Sequence, residues 1–219
     1  MRALPAPEPI RVPGPGPRLE GWLWPAPVAA PGVLVVHGWS SRKENHADLA
    51  EACAAAGMAA MTIDLRGHGT SGGAPDGGML DDVLAGLDAL AARGHPRLGL
   101  RGSSMGGFLA LHAAARHPLV RAVVAICPAQ PAGLARIKGA DWPLALPLEA
   151  AVARDDGVAR ALWHATGDDR VPWGATFALA GRTPHPMRLR IVLGGGHRTL
   201  QHDGRVLAQS VAFLAEHLR

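Results

Sequence analysis

The stretch Leu98-Gly99-Leu100-Arg101-Gly102-Ser103-Ser104-Met105-Gly106-Gly107-Phe108-Leu109-Ala110 decides how the rest of the chain is read. Leu98–Arg101 has the short apolar character of a buried strand. Gly106–Arg116 is a small-residue helical pattern ended by His117-Pro118. The chain must therefore turn sharply from strand into helix. Gly102 and Gly106 stand two before and two after Ser104, the spacing G-x-S-x-G, and give the room that side chains would deny. Ser103 does not fit, because Arg101 and Met105 occupy its flanking positions. The turn presents one hydroxyl, that of Ser104.

The same strand-then-helix rhythm extends in both directions. Gly32–Val36 is a short run rich in β-branched residues, and Asn45–Ala56 follows with helical patterning, with Gly57 as its C-cap. Met58–Leu65 reads as strand and Leu80–Ala92 as helix; Val120–Ile126 is a strand stopped at Cys127-Pro128. Further on, Ala161–Ala165 and Arg188–Leu193 are strands with a helix over Thr176–Ala180 between them, and Arg205–Leu218 is a terminal amphipathic helix. Such alternation predicts an α/β chain: a three-layer sandwich with a mostly parallel twisted sheet and helices on both faces. Residues 1–31 read as a Pro-rich extended segment, in which Ile10–Val12 and Leu19–Trp24 flank Pro13-Gly14-Pro15-Gly16-Pro17. Gln130–Val158 is irregular, with room for one short helix. No linker or internal repeat divides residues 1–219, so one domain is expected.

Composition narrows the function classes. Apolar residues make up 48% and charged residues 18%, the balance of a globular chain. The net charge is +4, but the basic residues are scattered rather than gathered into a stripe with stacking aromatics, so nucleic-acid binding is not expected. No apolar run approaches the roughly 18–20 residues of a membrane span. The proline-rich N-terminus lacks the apolar core of a signal peptide, so a cytoplasmic location is expected. Cys53 and Cys127 stand in unrelated segments and read as buried reduced thiols, with neither disulfide nor metal-ligand spacing. Gly67-His68-Gly69-Thr70-Ser71-Gly72 spells G-x-G-x-x-G. It opens no helix, because Gly73, Pro75, Gly77 and Gly78 intervene, so a dinucleotide cofactor is not expected.

A serine hydroxyl is a weak nucleophile at neutral pH and needs a base, itself oriented by an acid. In a parallel sheet the loops after the strands carry such groups. After Ala161–Ala165 comes Thr166-Gly167-Asp168-Asp169-Arg170-Val171-Pro172, and after the last strand comes Gly194-Gly195-Gly196-His197. Of the eleven histidines, His197 alone follows a strand through a glycine-rich loop late in the chain. Asp168 and Asp169 are adjacent acids that spacing does not separate.

From about Gly32 to the C-terminus the chain resembles the α/β-hydrolase superfamily. Four motifs agree in order: Val36-His37-Gly38-Trp39, Asp64-Leu65-Arg66-Gly67-His68-Gly69-Thr70-Ser71, the serine turn, and the acid and histidine loops. In detail it is similar to small lidless esterases of the dienelactone-hydrolase-like and serine-aminopeptidase-like branches. The resemblance implies the α/β-hydrolase fold with a minimal cap, Ser104 as nucleophile and His197 as base. The family's acid-loop pattern, His-Gly-x-x-Asp-x-x-Val-Pro, counts back from Val171-Pro172 to Asp168 as the acid, with Asp169 as its rival; Ala165 replaces the usual glycine. It implies an oxyanion hole from the backbone N–H groups of Trp39 and Met105, and a reaction without metal or other cofactor. The family commonly inserts a helical lid before the acid strand; here residues 131–161 leave space for a small flap only. The implied substrate is a small-molecule carboxylic ester with a small or flexible acyl group. Peptide or thioester cleavage on the same triad, or a non-catalytic binding member of the fold, are the alternatives. Trp142 and Trp173 either line the substrate pocket or pack the core.

Overall fold

In the computed structural model the described residues are 6–14, 16–131, 133, 146–184 and 186–219. The apolar runs become the strands of one eight-stranded sheet: β1 (Glu8–Val12), β2 (Leu19–Trp24), β3 (Gly32–Val36), β4 (Ala59–Ile63), β5 (Leu98–Ser103), β6 (Val120–Ile126), β7 (Ala159–Ala165) and β8 (Met187–Val192). Their spatial order is β1-β2-β4-β3-β5-β6-β7-β8. All pairings from β4 and β3 through β8 are parallel. The proline-rich N-terminus supplies an antiparallel edge: β1 pairs β2 in the register Glu8↔Leu23 to Val12↔Leu19, and β2 pairs β4. Those extended pieces thus belong to the sheet, which the sequence pattern alone did not indicate.

Helices cover both faces. Successive side chains of a strand point to opposite sides. On β3, Leu34 and Val36 face one core with α2 (Met79–Ala91), α3 (Met105–Ala114), α4 (Leu148–Val152) and α5 (Trp173–Ala180). Val33 and Val35 face the other, against α1 (Ala47–Ala55) and α6 (Gly204–His217). β3 to β6 are almost wholly buried, as a strand covered on both faces must be. Gly99 on β5 lets α6 settle there, because a Cβ at that position would stand 2.9 Å from both Leu214 and Leu218 side chains. Asp203 caps α6, its side chain accepting from Arg205 N and Val206 N. Of the interval expected to form a flap, residues 132 and 134–145 lie outside the described residues. The part that is described holds α4, which packs Leu148 and Val152 into the core.

The chemistry-bearing loops all leave the carboxyl ends of the parallel strands. Ser104 follows β5, Trp39 follows β3, Asp168 follows β7 and His197 follows β8. The sheet therefore delivers them to one edge.

Candidate active site

Ser104 has φ 55° and ψ −121°, a left-handed conformation that costs a non-glycine residue roughly 1–3 kcal/mol. Packing enforces it. A Cβ on Gly102 would lie 2.1 Å from Gly106 O, and one on Gly106 would lie 2.2 Å from Val36 O. The turn is held from outside by Ser104 N donating to Ile126 O (2.9 Å) and by Ala129 N donating to Ser104 O (3.0 Å). Although Ser104 occupies the N-cap of α3, its side chain makes no capping hydrogen bond. Its hydroxyl faces a cavity of about 350 Å³ whose wall also includes His197, Trp39 and Val171.

Met105 and the Gly38–Trp39 segment both adjoin Ser104. Met105 is the first residue of α3, and a first-turn N–H has no acceptor within its own helix. On the other side, His37 Nδ1–H donates to Gly38 O at 2.7 Å, and His37 Nε2 accepts from Leu65 N at 3.0 Å. A trans peptide points its C=O and N–H in opposite directions, so fixing Gly38 O toward His37 turns the Trp39 N–H away from it. Gly38 lies close enough that a Cβ on it would stand 3.4 Å from Ser104 Cβ. Burial lowers the His37 imidazole to about 4, which keeps the acceptor nitrogen available at neutral pH. His68 packs between the His37 and Trp39 rings, tilted to the first and edge-on to the second, with centroids 5.0 Å from each.

The acid loop separates the two neighbouring aspartates. Asp168 Oδ2 accepts from His197 Nδ1 at 2.7 Å, while Oδ1 accepts from Arg170 N and Val171 N, each at 2.9 Å. The Asp168 side chain is 0% exposed and that of His197 9%. Asp169 is exposed and makes no hydrogen bond among the described residues. Burial raises the Asp168 carboxyl, but the bonds from His164, His197, Val171 N and Arg170 N outweigh it and hold the group well below the usual carboxylate range. An ionised carboxylate on Nδ1 fixes the ring's orientation and leaves Nε2 as the basic atom. Ser104 and His197 line the same cavity, and among the described residues no direct hydrogen bond joins Oγ to the imidazole. Such bonds commonly tighten only when substrate binds.

The acid and histidine loops are tied backbone to backbone. Thr166 N donates to Val192 O at 2.9 Å, and Gly194 N donates to Thr166 Oγ1 at 2.9 Å. A Cβ on Gly167 would sit 2.4 Å from Gly195 O, so this approach needs glycine.

Sequence reasoning missed two residues that pack behind Asp168. His164 Nε2 lies 3.1 Å from Asp168 Oδ2 and 3.0 Å from Val171 O, both acceptors, while its Nδ1 takes the Thr176 hydroxyl at 2.7 Å. The signal was present, since His164 is the first residue of the acid-loop pattern. Cys127 stands at the end of β6 with φ 45°, and its thiol, Asp168 and His197 have ligand atoms all within 4.8 Å of one another. These are donor types a soft metal uses. Here burial pushes the thiol up to about 12, and the carboxylate and imidazole already bond each other. Both cysteines are free and buried.

Of the six tryptophans, the three that the sequence associates with the site divide three ways. Trp39 lines the cavity. Trp142 lies outside the described residues. Trp173 fits neither expectation: it is 41% exposed, so it is not core, and it is not among the cavity-lining residues. It opens α5 with its indole edge-on to Phe177.

Comparison with known proteins agrees with this fold. Residues 29–154 match the family described as serine aminopeptidase, S33. An uncharacterized protein of Mycobacterium tuberculosis is 30% identical over 218 residues, covering 92% of this chain and 76% of its own length. A pimeloyl-[acyl-carrier protein] methyl ester esterase of Xanthomonas campestris pv. campestris is 35% identical over 130 residues, 59% of this chain and 48% of that protein. Among solved structures, ferulic-acid-bound Est1E from Butyrivibrio proteoclasticus superposes with a TM-score of 0.78 at 20% identity, covering 95% of this chain and 99% of that one. At that identity the likeness is one of fold.

Proposed function

The chain belongs to the serine aminopeptidase S33 family of the α/β-hydrolase superfamily, and from that premise we propose that it is a serine hydrolase of carboxylic esters. The observation that carries the proposal is the pairing of an uncapped hydroxyl at a strained turn with an imidazole held by a buried carboxylate on one cavity. In this reading Ser104 Oγ attacks the ester carbonyl while His197 Nε2 takes its proton. The developing oxyanion is received by the N–H groups of Met105 and Trp39, each worth on the order of 10²–10³ in rate. His197 then gives the proton to the departing alkoxide, leaving an acyl group on Ser104. Water, deprotonated by the same nitrogen, attacks that acyl carbon and restores the serine. Asp168 holds the imidazole throughout and stabilises its protonated form.

A cavity of about 350 Å³ lies near the lower end for small-molecule pockets, which favours short or flexible acyl groups. Thioesters and peptides react by the same steps. The Xanthomonas campestris relative is named for cleavage of a methyl ester, and we rank ester cleavage first on that ground. A fluorophosphonate probe tests the reading: the intact protein labels and Ser104→Ala does not. Equal labelling of the two, or none of the wild type, removes it.

A further inference from the structure

The cavity beside Ser104 is lined by donors with no charged acceptor to match. Arg170 and Arg198 both stand on its wall, one from the acid loop and one from the residue after His197. Neither guanidinium has an ion pair or hydrogen bond among the described residues, although many other arginines do: Arg66 is bound by Asp76 and Asp82, and Arg160 by Asp156. Gln130, on the same wall, has a buried side-chain amide nitrogen with no partner among the described residues. No aspartate or glutamate is among the described residues that line this cavity. The Asp168 carboxylate behind it is wholly enclosed and already bonded.

The Gln130 amide nitrogen is buried and costly to leave unpaired, the exposed Arg170 and Arg198 side chains stand beside it with no acceptor on the same wall, and the group that best satisfies all three is one that only accepts. A carboxylate or a phosphate does this, and a guanidinium fork matches either in a bidentate way. Resting on the serine-hydrolase reading above, we propose that the substrate carries an anionic group, carboxylate or phosphate, which Arg170, Arg198 and the Gln130 amide bind while the ester carbonyl lies over Ser104. Arg170 is well suited to hold such a group in register. Its own backbone N–H bonds Asp168, so the anion and the catalytic acid share one short loop. The three residues determine specificity; none takes part in bond making.

Two pairs of aryl esters test this, one with the charge on the acyl side and one with it on the alcohol side. The first compares the 4-nitrophenyl monoester of glutaric acid with 4-nitrophenyl valerate. The second compares 4-carboxyphenyl butyrate with its own methyl ester. The expected result is that in at least one pair the anionic member has a kcat/KM at least tenfold higher, chiefly through KM. That preference shrinks as salt is raised from low to molar concentration. In Arg170→Gln/Arg198→Gln the ratio of anionic to neutral kcat/KM falls by about tenfold or more. The control Arg121→Gln, at the opposite end of β6 from the cavity, keeps the wild-type ratio. The pair that shows the preference identifies which side of the ester bears the anion. Equal or better turnover of the neutral member in both pairs overturns the inference and leaves the hydrolase reading standing. So does a preference that survives the double substitution or is indifferent to salt. Absence of turnover on all four esters together with absence of fluorophosphonate labelling overturns both.

Discussion

At the scale of single residues, the difference between Asp168 and Asp169 is the sharpest. Adjacent carboxylates have the same chemistry, and only their surroundings part them. Four donors converge on Asp168, while Asp169 faces solvent. Asp168→Asn should therefore lower turnover on the order of 10⁴-fold, because the amide can hold His197 in the wrong tautomer. Asp169→Asn should remain within about twofold, exposed substitutions away from such features being close to neutral. Steady-state kinetics on one aryl ester checks both; a reversal of the two would move the acid to the neighbour. The same scale shows what the sequence could carry. Ser104 was legible because its two glycines are required by contacts close to 2 Å, so the spacing is a steric fact written in residue types. Arg170, Arg198 and Gln130 were not legible. They matter through which wall they share, and nothing in their sequence positions states that they lack partners.

Elements were legible where both neighbours constrain them. Gly32–Val36 and Val120–Ile126 were bounded to the residue, since apolar β-branched runs between glycine and proline leave little choice. The strand that ends at the turn runs on to Ser103, two residues beyond its apolar part, because β6 pairs with it through Ser103↔Ile126. The antiparallel β1–β2 edge was not legible as pairing, because partner choice is a tertiary matter that proline-flanked segments do not announce. The turn between β5 and α3 gives the prediction at this scale. Gly102→Ala drives a Cβ into Gly106 O, a backbone atom that cannot swing aside, and should cost at least about 3 kcal/mol or prevent folding. Gly204→Ala, at the start of α6 with nothing within 4 Å, should instead stabilise by roughly 0.4–1 kcal/mol. Urea midpoints of the two variants decide it. Equal midpoints would mean that the close approach at the turn is relieved by backbone movement.

For the molecule as a whole, buried histidines make stability depend on pH in a set direction. Burial lowers His37 and His112 to about 4 from 6.5, and lowers His46 well below 6.5. As pH falls below 6.5 the unfolded chain takes up these protons before the folded one does. Their contribution is complete above about 6.5 and is lost as pH drops toward 4. Urea midpoints should accordingly fall between pH 7.5 and pH 5.0, before ordinary carboxylates titrate; an unchanged midpoint would mean that these rings are charged inside the fold. No helix among the described residues is long and apolar enough to cross a membrane. Under the proposed function, the arrangement of loops at one sheet edge serves a single event, transfer of an acyl group to Ser104. Mass spectrometry of a rapidly quenched reaction with a 4-nitrophenyl ester reads that event directly. The account predicts the acyl mass on the peptide that contains Ser104, and its absence from Ser104→Ala. Turnover without any adduct, or an adduct on another residue, would contradict it.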